Sequence, residues 1–223
     1  MKLKAALSFY IIFFCLVSYT SFAQREARPF WSEIQAFMKE DSLNPPPASA
    51  TLFVGSSSFR LWNNLQDYFP ELNIVNRGFG GSTLSDLVFY ADSIVTPFQW
   101  KYIVIYSGEN DLVYDPNLEP SEVVNLFNRL MFLVRKTNPQ TPVFYCSIKP
   151  SPIRKQFSRR FVQYNNLISN HIDQLPNTFY VDVWNILTSK DEQAESVFFL
   201  ADSLHLNEKG YSLWKNELNK YLK

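Results

Sequence analysis

Tyr102-Ile103-Val104-Ile105-Tyr106, followed at once by Ser107-Gly108-Glu109-Asn110-Asp111, decides the fold class of this chain. The first five residues are β-branched or aromatic with no polar alternation, so a strand here is buried on both faces. The next five switch abruptly to small, amide and carboxylate side chains, so the strand ends in a polar loop. A strand covered on both faces needs a layer of helices on each side of its sheet.

The flanking sequence supplies those layers. Short apolar runs at 51–54, 73–76, 143–148 and 179–181 predict four more strands, and helical periodicity occupies 82–94, 121–136, 159–175 and 208–222. Strands alternating with helices give an α/β protein: a three-layer α/β/α sandwich around a five-stranded, mainly parallel sheet. Ahead of it, 29–39 predicts a short helix with Trp31, Ile34 and Phe37 on one side, broken by Asn44-Pro45-Pro46-Pro47. The expected organisation is therefore an N-terminal helix and Pro-rich linker over 24–48, then one domain over 49–223.

The N-terminus reads differently. Met1-Lys2-Leu3-Lys4 is basic, 5–19 is apolar and contains Ile11-Ile12-Phe13-Phe14, and Ser21-Phe22-Ala23 offers small residues where a signal peptidase reads. This predicts a secretory signal over 1–23, cleaved after Ala23, and a secreted or periplasmic protein. The run is short for a membrane span and no second one of spanning length follows, so no stable membrane anchor is expected after cleavage. Cleavage removes Lys2 and Lys4 and no acid, leaving 19 basic against 21 acidic residues, a formal charge near −2. That balance does not suit a nucleic-acid partner. Only Cys146 survives cleavage, so no internal disulfide can form, and its apolar surroundings make it a core residue. One cysteine and two distant histidines do not make a structural zinc site.

In parallel α/β sheets the functional loops gather at the carboxyl ends of the strands. The first strand leads into Gly55-Ser56-Ser57-Ser58, where a serine sits at the start of a helix, near free N–H groups. The second leads into Gly78-Phe79-Gly80-Gly81-Ser82, whose glycines let the backbone approach a ligand closely. The spacing is neither the full dinucleotide fingerprint nor a phosphate loop with its lysine. The third leads into Asn110, whose side-chain N–H can face an oxyanion. Near the C-terminus Asp202-Ser203-Leu204-His205 places a carboxylate three residues before an imidazole. Such a carboxylate can fix the ring's tautomer and stabilise the imidazolium. The other histidine, His171, lies within a helical stretch and reads as a partly exposed helix residue.

In order and content these motifs resemble the SGNH hydrolases, the GDSL-type esterase/lipase superfamily, from Thr51 to the C-terminus. The resemblance implies a flavodoxin-like fold and a hydrolase of carboxylic esters. It also implies Ser57 as nucleophile, His205 as base, Asp202 as its orienting acid, and an oxyanion hole from Ser57, Gly81 and Asn110. Neither metal nor organic cofactor is implied. The family's G-D-S-L reads Gly55-Ser56-Ser57-Ser58 here, which looks like a variant branch carrying Arg60 and Trp62. The departure leaves Ser56 as a second candidate nucleophile.

The partner expected is a small-molecule or carbohydrate ester, with release of a small acyl group such as acetyl. Oligomeric state is not legible. Lys149-Pro150-Ser151-Pro152-Ile153-Arg154-Lys155 reads first as a solvated basic stretch and second as a contact for a polar or anionic substrate. Trp62 and Trp184 are candidates to stack on a sugar, although core positions suit most of the aromatics. Three other functions fit less of the pattern: a non-catalytic carbohydrate-binding protein on the same fold, a lysophospholipase or thioesterase-type acylhydrolase, and a nucleotide- or flavin-binding protein.

Overall fold

Ala50–Gly55 (β1), Asn73–Gly78 (β2), Tyr102–Tyr106 (β3), Val143–Cys146 (β4) and Thr178–Val181 (β5) form one sheet in the order β2-β1-β3-β4-β5. Every pairing is parallel. The computed structural model describes residues 28–189, 191 and 193–223, so the expected signal segment lies outside the described residues. The chain first steps from β1 to one side and then crosses back to β3 on the other. That reversal opens a crevice at the carboxyl ends of β1 and β3, where sheets of this order bind their ligands.

Side chains alternate along each strand between two cores. Leu52, Val54, Ile103, Ile105 and Tyr145 join one, against Trp31–Leu43 (α1), Leu84–Ile94 (α4), Glu109–Tyr114 (α5), Pro120–Thr137 (α6) and Ser158–Ile172 (α7). Phe53, Val104, Phe144 and Cys146 join the other, with Phe59 of Ser57–Arg60 (α2), Leu65 of Leu65–Tyr68 (α3), and Trp214 and Leu218 of Glu208–Leu218 (α8). Each such side chain contributes about 1.5–3 kcal/mol on burial, so the two cores dominate the stability. Among the described residues no helix is long and apolar enough to cross a membrane.

The differences from the sequence-based boundaries have local causes. β4 stops at Cys146 because Ile148 turns its backbone to Asn165, which accepts from Ile148 N and donates to Ile148 O, both at 2.9 Å. α4 starts at Leu84 because Thr83 caps it, in a reciprocal capping box with Asp86. α1 runs to Leu43, as far as the prolines permit. It shares the first core through Trp31 and Ile34, and Asp41 pairs with Arg77 of β2. Trp62 is only 1% exposed and stacks on Tyr211 at 4.5 Å between ring centroids, so it offers no face to a sugar.

Candidate active site

Four segments converge at the carboxyl edge of β1, β2 and β3. β1 ends in Gly55 with φ +143, and a Cβ there would lie 2.0 Å from the Tyr106 carbonyl oxygen. Only glycine allows β1 and β3 to approach so closely before the chain turns. Ser56 then donates its N–H to that same oxygen at 3.0 Å, and Ser57 opens α2. The three adjacent serines consequently have different environments. Ser56 and Ser58 are buried, whereas Ser57 is partly open to solvent.

The imidazole comes from the opposite end of the chain. Leu200 N donates to His205 O at 2.8 Å and Phe199 bridges Leu206, so the intervening residues close into a tight turn. Ser203 takes a left-handed conformation there, with φ +57. Asn207 closes the far side by capping α8, accepting from Lys209 N at 2.9 Å and Gly210 N at 3.1 Å. The turn folds Asp202 back on His205. One carboxylate oxygen accepts from Leu204 N at 2.9 Å and His205 N at 3.0 Å, and the other lies 2.7 Å from His205 Nδ1. Partial burial works to raise the Asp202 pKa, but the hydrogen bonds from His205 and Leu204 outweigh it and bring the carboxyl down to about 2. An ionised carboxylate only accepts, so Nδ1 donates to it and the ring turns Nε2 outward. Ser57 Oγ lies 2.9 Å from that Nε2, within hydrogen-bond reach.

Asn110 and Gly81 line the other side. Asn110 Nδ2 donates to Ser56 Oγ and to Ser82 O, both at 3.0 Å. A Cβ on Gly81 would lie 3.8 Å from Asn110 Nδ2 and 2.9 Å from the Tyr114 hydroxyl, which places Gly81 alongside the amide. Asp111 stitches the two loops together, accepting from Leu84 N at 2.8 Å and, more weakly, from Ser85 N at 3.4 Å. Burial raises its carboxyl to about 6 despite those donors. The structure thus brings Ser57, Gly81, Asn110, Asp202 and His205 to one place. A hydroxyl, an imidazole with an anchored carboxylate and a side-chain amide donor can carry out acyl transfer.

Other sequence expectations fall elsewhere. His171 is a partly exposed helix residue, 2.5 Å from Asn128 Oδ1. Cys146 is fully buried and burial pushes its thiol pKa up, so it is no nucleophile. The basic stretch after β4 is not solvated as expected: Lys149 is 1% exposed, and both it and Arg154 pair with Glu109. Lys155 alone of that run's charges is exposed. Beside it a cleft of about 230 Å³ is lined by Pro150, Ser151, Pro152, Ser158, Gln193 and Ala194. Trp184 is 9% exposed, at a polar cleft with Asn166, Asp182 and Asn185. The part played by Ser56 as a partner of Asn110, and by Asp111 between the loops, had no sequence signal beyond the Gly-Glu-Asn-Asp run itself.

The model of the GDSL-like lipase/acylhydrolase family matches residues 49–213. Among curated proteins no sequence matches significantly. Among solved structures, a Streptococcus pneumonia protein named for platelet activating factor is 21% identical with a TM-score of 0.75, covering 96% of this chain and 99% of that one. A GDSL-like lipase from Bacteroides thetaiotaomicron is 16% identical with a TM-score of 0.71, covering 84% and 95%. An acetyl-xylooligosaccharide esterase from Geobacillus stearmophilus is 17% identical with a TM-score of 0.63, covering 77% and 93%. At these identities the likeness is one of fold.

Proposed function

The chain belongs to the GDSL-like lipase/acylhydrolase family of ester-bond hydrolases, and we propose that it is a secreted serine esterase that releases small acyl groups, such as acetyl, from carbohydrate or other small esters. The observation that carries the serine mechanism is the run of contacts from Ser57 Oγ to His205 Nε2 (2.9 Å) and from His205 Nδ1 to Asp202 (2.7 Å). Ser57 Oγ attacks the ester carbonyl carbon as its proton passes to His205 Nε2. The carbonyl electron pair moves onto oxygen, held by the Asn110 amide and by backbone N–H groups of Ser57 and Gly81. The tetrahedral intermediate collapses, and His205 gives its proton to the departing alkoxide. Water then repeats the cycle on the acyl-enzyme, releasing the acid and restoring Ser57.

Two features support a polar, sugar-like alcohol portion. The cleft beside the segment after β4 is lined by prolines together with serine, lysine and glutamine side chains, a mixture suited to a hydroxylated ring. One structural neighbour is named as an acetyl-xylooligosaccharide esterase. A different observation favours a longer acyl group: Tyr114, Ile153 and Leu200 are 62%, 57% and 47% exposed. Each is tied by a hydrogen bond to the site, to Gly81, Ser203 and His205 respectively. Hydrolysis of a p-nitrophenyl acyl series by wild type and Ser57→Ala decides both points. Activity confined to short acyl groups supports the acetyl reading, and a rise with chain length replaces it with a lipid-type acylhydrolase. Equal rates for Ser57→Ala and wild type would sink the mechanism. Secretion is tested by N-terminal mass analysis of the exported protein, which should begin at Gln24.

A further inference from the structure

Glu109, the chain neighbour of Asn110, turns its carboxylate inward and is 4% exposed. One oxygen accepts from Arg154 Nη1 at 2.6 Å, and the other from Lys149 Nζ at 3.0 Å and from the Tyr106 hydroxyl. Burial works to raise the Glu109 pKa, but Lys149 and Arg154 outweigh it and hold the carboxyl below its ordinary range. Stability is a poor reason for such a cluster. Desolvating a carboxylate and an ammonium costs heavily, and well-packed apolar residues of similar volume commonly do as well or better.

What the cluster does is join elements. Glu109 follows β3, Lys149 follows β4, and Arg154 lies in the short 3-10 turn Pro152–Phe157. The residue before Arg154 completes the link, because Ile153 N donates to Ser203 O at 3.2 Å, inside the turn that folds Asp202 onto His205. A continuous path of ion pairs and backbone bonds therefore runs from the residue beside the oxyanion donor to the turn carrying the base. Removing one partner of a buried pair frees the others to move, whereas an apolar contact would tolerate sliding.

We propose that Glu109 is a positioning residue, which through Lys149 and Arg154 fixes the Asn110 amide relative to Asp202 and His205. The inference rests on the reading of Ser57, Asn110 and His205 given above. It adds that the register between the two halves of the site is set by a buried carboxylate that never touches substrate. A misplacement on the order of 1 Å at a reacting group costs about 100-fold in rate, so the effect is measurable.

The test is a double-mutant cycle on p-nitrophenyl acetate hydrolysis, with kcat expressed per molecule titrated by a fluorophosphonate. Glu109→Gln should lower kcat by about 10–100-fold and leave KM within about threefold. In an Asn110→Ala background the same substitution should cost less than about threefold, because the donor it positions is gone. Equal losses in both backgrounds, or a lowered Tm with unchanged kcat, would overturn the proposal. Should Glu109→Gln give no folded protein, Arg154→Gln carries the same cycle, since Arg154 is at the edge of the cluster and leaves Lys149 paired. Failure of the underlying reading shows separately, in the single variants: an Asn110→Ala or Ser57→Ala enzyme as active as wild type would remove both.

Discussion

Asn110 donates its side-chain N–H to the hydroxyl of Ser56 at 3.0 Å, so the serine that precedes the candidate nucleophile is a partner of the proposed oxyanion donor. Ser56 is 4% exposed and makes no hydrogen bond to His205 among the described residues, whereas Ser57 does. Ser56→Ala should accordingly keep kcat within about tenfold of wild type, the cost of one neutral hydrogen bond. Ser57→Ala should lose about 10⁴-fold or more. Steady-state kinetics on p-nitrophenyl acetate checks the pair, and a reversed ranking would move the nucleophile to Ser56.

Truncating the donor itself is a sharper probe. Asn110→Ala should lower kcat about 100–1,000-fold with little change in KM, because an oxyanion donor acts on charge that exists only in the transition state. A change confined to KM would assign Asn110 to ground-state binding instead.

Asp202 sits at about 2 and is therefore ionised at every pH at which the protein would be assayed. It should contribute no inflection to kcat/KM above about pH 3. Asp202→Asn keeps the shape but can present an N–H to the ring, favouring the wrong tautomer, and should lower kcat by about 10³–10⁴-fold. A pH–rate profile for both proteins checks this, and an acid limb in wild type that vanishes in Asp202→Asn would contradict it.

Asp111 has the opposite shift, with burial raising it from 3.8 to about 6. Between those values the folded state holds a proton that the unfolded chain has lost. Stability from this group is thus full below about pH 4 and declines as pH rises to about 6, by on the order of 3 kcal/mol. Asp111→Asn leaves an oxygen to accept from Leu84 N and removes the titration. Urea unfolding across pH 4–7 should show that downward component in wild type and its absence in the variant.

Gly55→Ala tests the backbone instead of a side chain. Its Cβ would overlap the Tyr106 carbonyl, a backbone atom that cannot swing aside, at a φ that alanine rarely adopts. The variant should lose more than about 4 kcal/mol of stability, beyond the usual range of point substitutions. Thermal unfolding gives the answer, and a wild-type Tm would show that β1 and β3 can part at no cost.

The strands were legible because parallel strands covered on both sides must be continuously apolar, and 102–106 matches β3 residue for residue. The candidate site was legible because three of its motifs follow β1, β2 and β3 of one parallel sheet, which carries them to a common edge, while the fourth, Asp202 to His205, announces itself as a carboxylate three residues before an imidazole just ahead of the last helix. The fate of the basic run after β4 was not. Local sequence gives Lys149 and Arg154 a solvated look, and only the fold brings Glu109, forty residues upstream of Lys149, into contact. Helix and strand ends also escaped where a side chain replaces a backbone partner, as Asn165 does for Ile148.

The Gly80 turn, one residue before Gly81, is moulded from outside the family's span. A Cβ on Gly80 would lie 2.1 Å from the Phe30 ring, and Gly80 N donates to Glu33 Oε2 at 3.1 Å, whereas the family match begins at residue 49. A chimaera that grafts residues 49–213 between relatives would carry over Ser57, Gly81, Asn110, Asp202 and His205, and leave behind the mould for the turn beside them. The structural unit that shapes this candidate site therefore begins near Phe30, and crossover points chosen by family resemblance alone would cut through it.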